Sequence, residues 1–130
     1  MKRTIIIFVI IALLGALSIY EEILVNNTLT QMSKYTNQLS VSVSINSDNI
    51  YNENVMSNFD NLDEFWEKQK VKLCMFTNYD KIRFVDESMQ KIEDGIKKNN
   101  IDLVEENISS LRSFNEFVSY IMGFNINNLF

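Results

Sequence analysis

At 130 residues and a formal net charge of −5, the chain is long enough for one domain and too acidic to make nucleic acid a good partner. It has no histidine, which removes the commonest general base and the usual zinc ligand, and only one cysteine, Cys74, which therefore has no partner for an internal disulfide. Proline is absent and glycine occurs only at positions 15, 95 and 123, so turn signals are sparse and the composition suits an all-α chain.

The first element is apolar. Thr4 to Tyr20, TIIIFVIIALLGALSIY, carries no charge. At ~1.5 Å of rise per residue the run spans roughly 25 Å, the short end of a membrane crossing, which Ile23, Leu24 and Val25 extend. Lys2 and Arg3 precede it, and Glu21 and Glu22 follow it. The positive-inside rule keeps the N-terminus in the cytoplasm and exports the remainder. Residues 1–23 are expected to form a signal-anchor transmembrane helix in the cytoplasmic membrane, and residues 24–130 an extracytoplasmic helical bundle. A cleavable signal peptide is the rival reading, with Ala16-Leu17-Ser18 as a poor cleavage site. The anchor is preferred because the apolar run is longer than a usual signal core and the helical pattern continues past it. Either way, setting Lys2 and Arg3 aside leaves ten basic against seventeen acidic residues, a net −7 on the exported part.

Four apolar rows follow at helical spacing. Val25, Leu29, Met32, Thr36, Leu39 and Val43 step alternately by four and three, continuing the anchor helix. INSDNIYNEN, Ile45 to Asn54, reads as a turn region, since Ser, Asp and Asn compete with helical backbone bonds. The second row is Val55, Phe59, Leu62, Trp66, Gln69, Leu73 and Phe76, and Trp66, Leu73 and Phe76 are taken as core. Thr77 or Asn78 caps the next helix, with Asp80 in its first turn, and Ile82, Val85, Met89, Ile92 and Ile96 form its buried row. That helix closes at KKNN, where Asn99 or Asn100 takes a left-handed conformation. Asp102 with Glu105 restarts the chain as a capping-box-like pair, and the last row is Val104, Ile108, Leu111, Asn115, Val118 and Met122, widened by Phe114, Phe117 and Ile121. Short connections between amphipathic segments imply an antiparallel bundle of three to four helices joined to the transmembrane helix. Cys74 is either buried inside it as a small hydrophobe, the preferred reading, or paired between chains.

Up-down topology returns the second helix towards the bilayer. The turn carrying Asn78 and Tyr79 then faces the membrane, with Lys68, Lys70 and Lys72 towards the headgroups, where each basic residue contributes about 1 kcal/mol against an anionic surface. The last segment, MGFNINNLF, returns to the same end with Phe124 and Phe130 as candidate membrane- or partner-facing residues. Nothing points to catalysis or to a cofactor. Cys74 has no imidazole to activate it, no Gly-rich phosphate loop occurs, and the Asp63, Glu64 and Glu67 carboxylates read as a solvated acidic face. The sequons at Asn26 and Asn107 matter only in a glycosylating host.

The basic-apolar N-terminus, Trp66-Glu67-Lys68, FTNYDKI at Phe76 to Ile82 and the final NINNLF together resemble domain of unknown function 4363, a family of small membrane-anchored proteins of spore-forming Gram-positive bacteria. The resemblance implies location and fold, with no established activity, and weakly a neighbouring multi-span YetF-type membrane protein as partner. Family members usually carry a histidine in the turn where this chain has Tyr79, a departure that favours a structural role for that turn. The expected function is that of a non-enzymatic accessory or interaction subunit at the outer face of the membrane, docking on other proteins or on itself. The alternative is a small extracytoplasmic ligand sensor, whose pocket would have to be lined by Gln69, Thr36 and Asn115, the polar members of the apolar rows.

Overall fold

The computed structural model describes residues 1–74 and 79–129, the side chains of 119–129 excepted. Among these residues there are four helices, α1 (Lys2–Ile45), α2 (Glu53–Leu73), α3 (Tyr79–Lys97) and α4 (Ile101–Leu129). α1 runs for 44 residues without a break, roughly 66 Å at ~1.5 Å per residue. Its first part packs against nothing. The most apolar 18-residue window is 0% buried, and Ile5, Phe8, Leu13 and Ile19 are each at least 60% exposed. This helix is long and apolar enough to cross a membrane.

Beyond that stretch the same helix becomes amphipathic, because apolar or small residues recur on one stripe. Thr28, Met32, Thr36, Leu39 and Val43 are buried there, with Val25 half-buried against the core. α2 runs back along α1. Tyr35 and Phe65 have ring centroids 5.2 Å apart, and Thr28 Oγ1 lies 3.4 Å from the Gln69 side-chain amide, so the partners advance in opposite directions. α3 packs on α4 and α4 returns beside α1, whereas α2 and α3 touch least and α1 and α3 lie on a diagonal. The result is an antiparallel four-helix bundle around one core, as the periodicity predicts. Trp66, Leu73, Ile82, Val85 and Met89 all lie in it. Phe76 falls outside the described residues.

The end far from the apolar run is closed by backbone chemistry. Asn99 has φ of 53°, a left-handed conformation that asparagine tolerates better than most residues. It lets the Asn99 and Asn100 N–H groups donate to the Ile96 and Gly95 carbonyls at 3.1 and 2.8 Å, a Schellman closure of α3. Asn99 Oδ1 also accepts from the Ile50 N–H at 2.9 Å, which ties the α3–α4 loop to the α1–α2 loop. Gly95 permits the tight α3–α4 approach, since an added Cβ would stand 2.7 Å from Val104 Cγ2. Asn52 caps α2, accepting from Val55 N–H at 3.0 Å.

Three expectations are corrected. Cys74 is exposed, because it follows the last residue of α2 and lies off the buried stripe. Phe117 is 57% exposed, one position too far round α4 to reach the core. α4 begins at Ile101, with Asn100 Oδ1 accepting from Leu103 N–H at 3.2 Å, so the cap lies two residues before Asp102. Within the polar tract, Ile50 is fully buried, a plug inserted between the distal loops.

Candidate functional site

The half of the bundle next to the apolar run holds most of the residues singled out from sequence. Thr28 sits level with Gln69, and one turn further along α2 Leu73 reaches the level of Leu24 and Val25, just past the apolar run. The end of α2 and the start of α3 therefore stand within about one helical turn of that run. Tyr79, in the first turn of α3, is 74% exposed there. Asn78 and Phe130 lie outside the described residues, as does the side chain of Phe124.

The three lysines of α2 do not act alike. Lys68 is exposed and pairs with Glu64 one turn away at 3.2 Å. Lys70 is largely covered and bridges two helices, its Nζ 3.0 Å from Glu67 and 3.4 Å from Asp86 of α3. The hydrogen bond to Glu67, assisted by the Asp86 charge, raises the Lys70 pKa against the opposing effect of burial. Lys72 is exposed and has no ion pair among the described residues. Among the described residues, Lys72 is thus the one uncommitted cation at this end of α2.

Asp86 is the partner that periodicity does not reveal. Its Oδ1 accepts from the Trp66 indole N–H at 2.7 Å, so the buried tryptophan is satisfied by the same carboxylate that meets Lys70. This Trp66–Asp86–Lys70–Glu67 clasp joins the two helices that pack least closely. Next to it, Asp63 has a raised pKa, first through burial and then through the charges of Glu67, Glu93 and Asp60, with Lys70 opposing.

Of the polar residues of the apolar rows, the groove between α1 and α4 holds Asn115 and neither Gln69 nor Thr36. Gln69 sits on the α1–α2 seam and Thr36 is wholly buried, its Oγ1 without a hydrogen-bond partner. Asn115 lines a groove of about 360 Å³ between α1 and α4. Asn26, Thr30 and Ser33 form the α1 wall, and Arg112 and Glu116 stand on the α4 side. Arg112 Nη2 donates to Asn37 Oδ1 at 2.9 Å across one end. Asn115 is 7% exposed, and its Nδ2 is sealed from solvent without a partner. A second groove between α3 and α4 is apolar. Phe84 stacks on Phe114 at 5.7 Å, and both line it with Phe117.

These features define a class: an antiparallel four-helix bundle continuous with a long, exposed apolar N-terminal helix. The chain matches no family model, no curated protein and no solved structure, so the family resemblance rests on the residues quoted for it.

Proposed function

We propose that this protein is a membrane-anchored, non-enzymatic accessory or interaction subunit whose bundle stands at the outer face of the cytoplasmic membrane. The observation that carries the reading is the unbroken α1, bare along its apolar part and packed along the rest, which fixes the bundle's orientation relative to whatever holds the anchor. The basic pair before the apolar run and the acidic pair after it support an N-terminus inside and an exported bundle. The absence of histidine and of a phosphate loop supports a non-catalytic role. Lys72, Tyr79 and the end of α4 form the surface nearest the membrane, and the partner is a multi-span membrane protein, which the family resemblance implies is of the YetF type, or a second copy of this chain. Purification of the full chain from its own membranes in mild detergent, followed by mass spectrometry, tests this. A stoichiometric multi-span partner or a defined self-assembly is expected; a lone monomer would remove the interaction role.

The second reading, a ligand-sensing bundle, is favoured by one observation. The α1–α4 groove is polar and holds a buried amide without a partner.

A further inference from the structure

Three features of the α1–α4 groove go together. It is lined almost wholly by hydrogen-bonding side chains, with Leu29 the one apolar residue in its wall. The groove opens to solvent: Asn26, Thr30, Asn37, Arg112 and Glu116 are exposed, and only Asn115 among its lining residues is buried. Its two charged residues, Arg112 and Glu116, lie one turn apart on α4, a spacing at which opposite charges commonly pair, yet no ion pair joins them. The guanidinium instead leans across to Asn37 at 2.9 Å, and the carboxylate stands one turn nearer the apolar run. Finally, Asn115 lies between these two residues in sequence, on the same side of α4, and is 7% exposed with an orphaned amide nitrogen. A buried amide left unpaired is costly to the fold, and apolar replacements that fit the site are available.

We propose that this groove binds a small zwitterion, a molecule with a carboxylate and an ammonium group such as a free α-amino acid. Arg112 takes the carboxylate through its planar fork, Glu116 takes the ammonium, and the Ser33 and Asn37 side chains with the Asn115 side-chain oxygen hydrogen-bond what lies between. At about 360 Å³ the open groove has room for a ligand of that size with water beside it. The proposal rests on the sensing reading and is independent of how the anchor is used.

The test is a titration of the full chain in detergent micelles with three sets of probes: α-amino acids, simple carboxylates of matching size, and uncharged polyols. Binding is read by calorimetry and by thermal shift up to about 10 mM, enough to fill a site with a Kd of ~1 mM. At least one amino acid is expected to bind, with affinity falling about tenfold or more in both Arg112→Gln and Glu116→Gln. Asn115→Leu is expected to raise the melting temperature while weakening binding, opposite movements that a purely structural residue would not produce. Equal binding of carboxylates and amino acids, unchanged by Glu116→Gln, overturns the zwitterion but keeps the groove as an anion site. No binding by any probe, with all variants folded, overturns the zwitterion site; the sensing reading falls separately, if a broad metabolite screen on the same preparation also finds no ligand.

Discussion

The Trp66–Asp86 bond is the sharpest point at which to test how the bundle is held. Replacing Asp86 by Ala leaves the indole N–H, on a residue only 3% exposed, with no acceptor. An unsatisfied buried donor costs about 1–3 kcal/mol. The ion pair with Lys70 adds little, because Asp86 is 40% exposed and such pairs contribute about 0–1 kcal/mol. Alanine recovers roughly 0.5 kcal/mol in helix propensity. The net loss is about 1–3 kcal/mol, a fall in Tm of roughly 5–15 °C for a domain of this size. Asp86→Asn keeps an oxygen acceptor and gives up only the charge, so it should cost less than about 1 kcal/mol. Trp66 is the only tryptophan, and its fluorescence during thermal unfolding reports the same site that is perturbed. Equal effects of Ala and Asn would refute the assignment, because the loss would then belong to the charge and not to the acceptor.

Gly95→Ala should destabilise by up to about 2 kcal/mol, overpacking against Val104 outweighing the propensity gain, and the loss should shrink in a Val104→Ala background when both are followed by urea unfolding. Asn99→Gly should cost about 1 kcal/mol through the lost bond to Ile50 N–H, and Asn99→Ala a further ~1 kcal/mol through left-handed strain, a ranking readable from melting curves. Because the folded pKa of Asp63 is raised, its protonated form is favoured by the fold, so its contribution is most favourable at acid pH and is lost as pH rises through the folded pKa. Asp63→Asn should therefore raise Tm at neutral pH, with the gain vanishing below about pH 4.

The fold was legible because each helix repeats mostly apolar residues along its buried stripe. Val55, Phe59, Leu62 and Trp66 are apolar at each turn, and all are buried. Ile50 was hidden because a single apolar residue in a loop has no period, and its burial depends on Asn99, 49 positions away. Cys74 and Phe117 show the same limit in reverse, since apolar character does not say whether a neighbouring helix reaches that side. The clasp was invisible for another reason: Asp86 is one charge among many on α3, and only the 2.7 Å approach of the Trp66 nitrogen separates it from solvated acids. The groove was half legible. Asn115 stood out as a polar residue in an apolar row, but the groove it shares with Arg112 and Asn37, which bond each other, comes from the packing of α4 on α1.

The central claim is an uncleaved anchor with an exported bundle, and the single exposed cysteine tests it without mutation. Intact cells treated with a membrane-impermeant maleimide should label Cys74, and the labelled chain should stay in the membrane fraction at full-length mass. Labelling only after lysis would put the bundle on the cytoplasmic side, and a shortened, released chain would make the apolar helix a cleaved signal.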